Sequence, residues 1–345
     1  MTRSIDFRYV IVRNGADLCE IYPADGGAAI RMNDSAEIKT SLRGAFFPDV
    51  RVNWLADRIR PEMILDGVTY SLGIFLPATV VETKTAETRA VEIEAYDQCW
   101  LAKDFCWPYT ITRQATENYI TVIESLLTRA GISNILSTPR TGNLGEARAF
   151  EIGTPYLSIA NELLAEINYK PLWFNAQGLA VLEPKRAPTA ANIQHTISSE
   201  DVRSLLLPTV ARETDIYSAP NVFICVCANP DKSGNMSARA TNNNVSSPLS
   251  VPRRGRSIVK VVRLNNIASQ EELQAYADNL MRESMYAGET IEITTGLFPG
   301  YGVGDIVGLN LDGELSICVE HAWEMQLQVG GEMKHTLERV VFNYG

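Results

Sequence analysis

Between residues 305 and 343 apolar and polar positions alternate almost without a break. Asp312-Gly313 marks a tight hairpin turn, because both central residues of that turn need φ > 0. After it, the odd-numbered residues from Leu315 to Val329 are mostly apolar and include His321. The even-numbered residues from Glu314 to Gln328 are mostly polar. Side chains of a strand point alternately to its two faces, so this is the middle of a three-stranded meander with one buried and one wet side. On this pattern Cys318 and Glu320 face water.

The rest of the chain reads in three parts. Residues 5–12 and 18–22 alternate on either side of Asn14-Gly15. Ala36, Ile38, Thr40 and Leu42 mark a further strand. Residues 68–76 follow an Asp66-Gly67 turn, and Val91, Ile93 and Ala95 close the set. A short helical stretch is expected over residues 52–60, ending before Pro61. Several short strands at this spacing predict a barrel or sandwich.

From residue 97 the period changes. Tyr119, Ile120, Ile123, Leu127 and Ala130 recur at helical spacing, with Gly131 as the stop. Thr154 as N-cap and Pro155 in the first turn open a second helix. Residues 171–184 form a hairpin that turns at 175–178. Residues 222–228 and 257–264 are strands, and 233–257 are expected to hold a long exposed loop. Ser269 and Glu272 form a capping box that opens a helix over 269–286. The predicted organisation is mainly β with an α+β insert: 1–96 a β-domain, 97–195 a helix-helix-hairpin insert, 196–345 a second β-domain carrying the 269–286 helix.

Charge and cysteine usage narrow the function. The chain has 345 residues and a formal net charge of −10. Phosphate binding needs a basic face, so specific nucleic-acid binding is not expected. No apolar run approaches the roughly 20 residues of a membrane span. The N-terminus lacks the apolar segment of a signal peptide, so folding in the cytoplasm is expected. Six scattered cysteines (Cys19, Cys99, Cys106, Cys225, Cys227 and Cys318) read as reduced thiols.

Candidate chemistry is sparse. Aligning the apolar faces of the last hairpin sets Val329 opposite Met333 and His335 opposite Leu327. His321 and His335 are then six positions apart, roughly 20 Å, too far to share an ion. Cys225 and Cys227 share a strand face as small buried hydrophobes. Cys99 and Cys106 have no histidine nearby, so no nucleophilic dyad forms. The glycines of 299–305 precede strands, not a helix, and fit no phosphate loop. No catalytic residue, cofactor or metal is expected. Arg253, Arg254 and Arg256 are the dense basic cluster, which suits docking to an acidic surface of a neighbouring subunit. Trp107 and Trp173 offer a weaker alternative, a stacking platform for carbohydrate.

Six spaced blocks carry a resemblance: residues 56–77, 94–104, 151–184, 220–234, 247–258 and 269–284. In that order they resemble the baseplate hub or tail proteins of bacteriophages and phage-like particles, including phage-tail bacteriocins. The resemblance covers most of the chain. It implies two tube-type β-domains per subunit and a homotrimer, so that three chains match a sixfold tube. It also implies a tail tube protein, a central spike protein and other baseplate proteins as partners, a virion or phage-tail-like particle as location, and no membrane. An acidic lumen would suit a channel that DNA must cross. Two rival roles are a tail-tip adaptor of a non-contractile phage and a tail-associated peptidoglycan hydrolase or wall-binding module.

Overall fold

Asn14-Gly15, Asp66-Gly67 and Asp312-Gly313 all take positive φ, and each joins two antiparallel strands. In a computed structural model the described residues are 4–84, 89–201, 205–213, 219–227, 236–264, 267, 269–286 and 289–339. The first strands are β1 (Ile5–Arg13), β2 (Ala16–Ile21), β3 (Pro23–Asn33), β4 (Thr40–Phe46), β5 (Arg58–Leu65), β6 (Val68–Ser71), β7 (Leu76–Lys84) and β8 (Arg89–Tyr96). The middle of the chain forms α1 (Cys99–Asp104), β9 (Ile111–Arg113), α2 (Tyr119–Arg129), β10 (Ile135–Ser137), β11 (Arg148–Phe150), α3 (Tyr156–Glu166), β12 (Trp173–Phe174) and β13 (Ala180–Leu182). Then come β14 (His195–Ser198), β15 (Val210–Glu213), β16 (Val222–Cys227), β17 (Met236–Thr241), α4 (Val251–Arg254), β18 (Val259–Leu264) and α5 (Gln270–Tyr286). The meander closes the chain as β19 (Thr290–Gly296), β20 (Ile306–Leu311), β21 (Glu314–Leu327) and β22 (Glu332–Arg339).

The fold is mainly β with several sheets, as the alternation predicts. The largest sheet has ten strands, eight of which run β15-β19-β22-β21-β3-β4-β8-β7. Every neighbouring pair on that path is antiparallel. Dividing the path between β21 and β3 gives two four-stranded halves. In chain order, each half runs first, second, fourth, third. That repeated order makes the two halves equivalent under a shift of four strands.

Different layers back the two halves. The sheet β2-β1-β5-β6 covers the first, and Tyr9, Ile11, Ile30, Leu42, Phe46 and Met63 form their shared core. Paired strands β14 and β20 cover the second, around Ile197, Ile291, Ile293, Val307 and Leu337. The helices α1–α3 and strands β9–β13 have a core of their own. So does the three-stranded sheet β17-β16-β18 with α5 on it.

Helix signals translate well. Asn118 caps α2 through its side chain, and Gly131 takes φ +85° just past the end. Ser269 accepts from the Glu272 N–H at 3.2 Å, as the capping box predicts. Pro155 rather than Thr154 is the N-cap of α3. The Thr154 hydroxyl instead donates to the Glu151 carbonyl.

Several expectations are corrected. The strand expected from Ala36 begins only at Thr40, after turns, and residues 23–33, for which no element is expected, form strand β3. Residues 52–60 are turns followed by β5, with Pro61 inside that strand opposite Tyr9. Within 233–257 lie β17 and the short α4.

The largest correction is in the last hairpin. A β-bulge sits at His321, because Glu320 pairs with Leu337 while Ala322 pairs with Thr336. One extra residue switches the parity of the strand. Cys318 and Glu320 therefore join Trp323, Met325 and Leu327 on the covered face. The register also differs from the apolar match: Met325 pairs with Met333 and Trp323 with His335.

Candidate assembly interface

A strand path with two ends has two edges, and among the described residues they are β7 and β15. Unpaired edges offer rows of backbone donors and acceptors to any passing strand. From Ala78 to Lys84 every β7 residue is exposed, Val80 and Val81 included. In β15, Ala211, Arg212 and Glu213 are exposed. The two edges lie at opposite ends of equivalent halves. Strand β15 begins one half and β7 ends the other, which is the geometry that head-to-tail pairing between copies requires.

The uncovered face of the sheet is polar and net acidic. Register places Glu213, Glu292, Glu332, Glu338, Glu324, Glu92 and Glu94 on it, against Arg31, Arg43 and Lys334. Arg31 pairs with Glu324 at 2.8 Å and Arg43 with Glu94 at 2.5 Å. A depression of 640 Å³ lies on this face over β19, β22, β21 and β3.

Beneath the sheet the second half holds buried polar groups. Glu320 and His335 are 0% and 1% exposed. The His335 Nδ1 lies 2.9 Å from Glu320 Oε2, and its Nε2 lies 2.9 Å from the Thr295 hydroxyl. Burial pushes the Glu320 carboxyl up, against the pull of His335. Tyr301 lies between His335 and His195, with ring centroids 4.8 Å and 4.4 Å away. His195 Nε2 sits 3.0 Å from Asp305 Oδ2. Burial alone would raise Asp305, but His195 and the Gly302 N–H leave its carboxyl below the usual range.

His321, on the bulge, turns elsewhere. Its Nδ1 meets Asp34 at 2.5 Å, which raises the imidazole above its ordinary value. The corrected register brings His321 and His335 closer along the ribbon than the sequence suggests. They still engage different carboxylates. Among the described residues no group of three or more His, Cys, Asp or Glu could hold a metal ion.

A cavity of 330 Å³ lies where the first half, the β12–β13 hairpin and the 299–305 segment meet. Trp173 and Trp323 line it, and Asp97 sits in its wall. Burial raises the Asp97 carboxyl to about 6, although its oxygens accept from the Thr40 and Cys99 N–H groups. Trp173 and Trp107 are both half-buried. Arg129 lies over the Trp107 ring at 5.4 Å and Lys170 over the Trp173 ring at 5.6 Å.

The arginine cluster lies on α4 and just beyond it. Arg253 is exposed and donates to the Val245 carbonyl at 2.9 Å. Arg254 is half-buried and donates to the Ala219 carbonyl at 2.6 Å. Arg256 is exposed, and its carbonyl accepts from Asn221. The three therefore share one corner of the β16–β18 sheet. The edges themselves carry no local signal of this kind. Alternation around Val80 and Val81 marks a strand, but a single sequence does not show which strand lacks a neighbour.

No family model matches the chain, and no curated protein matches it by sequence. Solved structures do match in fold. The tail protein from Neisseria meningitidis MC58 aligns with a TM-score of 0.68 at 12% identity, over 96% of both chains. The 43 kDa tail protein of prophage MuSo2 from Shewanella oneidensis aligns at 0.65 and 11% identity, over 96% of this chain and 98% of that one. An E. coli type VI secretion component, described as similar to the T4 bacteriophage tail proteins gp27 and gp5, aligns at 0.52 and 9% identity, over 100% of this chain and 77% of that one. No helix among the described residues is long and apolar enough to cross a membrane. The chain has the fold of phage tail proteins.

Proposed function

We propose that this protein is a structural, non-catalytic hub component of a phage or phage-like contractile tail. It forms a homotrimeric ring that adapts a sixfold tail tube to a threefold central spike, alongside other baseplate proteins of the particle. The observation that carries this reading is the eight-strand path of two equivalent halves with an open edge at each end. Pairing β15 of one copy with β7 of the next closes the path when the rotation closes. Three copies then present six equivalent halves.

The division into 1–96, 97–195 and 196–345 belongs to the same proposal, the outer two supplying the ring and the middle one decorating it. The acidic uncovered face becomes the lumen wall. An acidic wall repels the phosphates of passing DNA rather than holding them. Arg253, Arg254 and Arg256 sit outside that wall and contact a neighbouring subunit through its acidic surface.

Light scattering on the purified chain across a concentration series tests the ring. A mass of three chains is expected. A monomer at every concentration overturns a self-assembling trimer. Charge reversal at Arg253 and Arg256 is expected to weaken the trimer while leaving the fold unchanged. An unchanged trimer removes those arginines from the interface.

A further inference from the structure

Five aromatic side chains line the cavity between the first half, the β12–β13 hairpin and the 299–305 segment: Phe75, Trp173, Phe174, Tyr301 and Trp323. Phe75 and Phe174 are buried, and the other three are half-buried. Two carboxylates, Asp97 and Asp305, stand in the same wall, and among the described residues no lysine or arginine does. The volume of 330 Å³ is at the small end of ligand sites, which run from about 300 to 1,000 Å³, so the cavity suits a compact ligand.

The polar groups of the wall differ in what they have left to give. Asp305 is fully engaged: its oxygens lie 3.0 Å from the Gln194 amide nitrogen, 3.0 Å from His195 and 2.6 Å from the Gly302 N–H. Gln194 is engaged at its other end too, since its oxygen accepts from the Ile306 N–H at 3.1 Å. The Asn175 oxygen accepts from the N–H groups of Gln177 and Leu179 within its own turn. Asp97 is different. It is 3% exposed, and its two oxygens accept from the Thr40 and Cys99 N–H groups at 2.9 and 2.8 Å, one each. An ionised carboxylate oxygen can accept a second bond, so each keeps acceptor capacity. Lys39 is the cation that acts on Asp97, and its ammonium is bound to the Asp34 and Ala36 carbonyls at 2.5 and 2.7 Å. Lys170 lies over the Trp173 ring but pairs with Glu183 at 2.9 Å.

This wall selects by charge. An anion would meet two carboxylates and no base. A polyhydroxylated ring such as a sugar needs several uncommitted donors and acceptors, and most of the polar groups here are committed to their neighbours. Aromatic faces attract cations through the ring quadrupole, and a carboxylate short of a counter-ion supplies the complementary charge. We propose that this cavity is a binding site for a compact organic cation, an ammonium or guanidinium group, with Asp97 as its counter-ion and Trp173, Tyr301 and Trp323 as its aromatic wall. The cation is either a free small molecule or the tip of a lysine or arginine side chain of a partner protein.

Titration of choline and methylguanidinium into the purified chain, followed by calorimetry and tryptophan fluorescence, tests the site. Their neutral counterparts, 3,3-dimethylbutan-1-ol and methylurea, are titrated beside them, as is glucose. Saturable binding of a cation is expected, with its neutral counterpart weaker by about tenfold or more. Asp97→Asn removes the counter-ion and is expected to weaken the cation by a similar factor. Ala176→Phe, in the 175–178 turn that lines the cavity, fills space without touching Asp97 and is expected to weaken it as well. The Phe variant decides the matter if circular dichroism shows that the Asn variant does not fold. A capped Gly-Arg-Gly tripeptide separates the two sources. Binding as tight as that of methylguanidinium supports a side chain carried on a partner, and weaker binding supports a free molecule. No saturable binding of either cation, equal binding of the neutral counterparts, tighter binding of glucose, or cation binding that survives in every folded variant would each overturn the site.

Discussion

The two halves of the long sheet share a strand order and differ in what lies behind them. Behind the first half the core is apolar: Tyr9, Ile30, Leu42, Phe46 and Met63 are all buried. Packing there is close enough that a Cβ at Gly44 would come within 2.7 Å of the Ala28 Cβ. Behind the second half, Glu320, His335, Thr295 and Asp305 are buried among the aliphatics. The strand order sets the geometry of a ring, so it is the part that must repeat. The backing layer only has to cover one face, and two chemistries do so here.

That difference can be broken by truncation. In the second half, Glu320→Ala leaves His335 buried without its carboxylate and is expected to cost about 3–5 kcal/mol. Glu320→Gln keeps a hydrogen-bond partner and costs less. In the first half, Leu42→Ala opens a cavity at a cost of about 2–5 kcal/mol. Urea unfolding measures all three. Only the first-half loss should be insensitive to pH. A Glu320→Ala loss under 1 kcal/mol would show that the pair is merely tolerated.

Two buried carboxyls, one behind each half, titrate in opposite senses. The Asp97 carboxyl at the end of the first half is raised to about 6 from its ordinary 3.8. Its contribution is therefore full below about 4 and is lost as pH rises toward 6, by about 3 kcal/mol. Asp305 in the second half is lowered. Its contribution is full above the ordinary 3.8 and is lost as pH falls below that, through the lowered folded value. Asp97→Asn should flatten the decline between pH 4 and 6. Asp305→Asn should flatten the acid limb below 4. Unfolding curves from pH 3 to 8 would show it, and one common effect from both variants would erase the contrast.

What the sequence discloses follows from locality. Turn pairs such as Asn14-Gly15 need positive φ that few residues tolerate, so they announce themselves. The helix stop at Gly131 and the cap at Ser269 are equally local. The bulge at His321 is not, because an alternating run looks the same with or without one extra unpaired residue. It hid Glu320, which alternation sends to water and the structure buries. Strand β3 was hidden too, since residues 24–27 break the ladder and only residues 28–32 are held by both β4 and β21, partners distant in the chain. The arginine cluster was legible as composition, yet its backbone partners at Val245 and Ala219 were not. The open edges are least legible of all, being a property of which strands pair at long range.

The smallest expected energy is the one that bears most on assembly. If the halves are equivalent and the ring closes through β7 and β15, damage to either edge must have the same consequence. Lysine is a natural blocker of edge pairing, since its charge resists burial against a second strand. Val80→Lys/Val81→Lys in β7 and Ala211→Lys in β15 change mostly exposed positions, so each chain should fold as before by circular dichroism. Each is expected to weaken every β7–β15 junction at least about tenfold, roughly 1.4 kcal/mol per interface. Mixing the two variants sharpens the test. Every β7–β15 junction needs one edge from each copy, so a mixed population retains some intact junctions and should form dimers but no closed ring. A trimer that tolerates lysines on one edge and not the other would mean that the copies meet elsewhere, and that the repeated strand order is a relic of duplication rather than the basis of assembly.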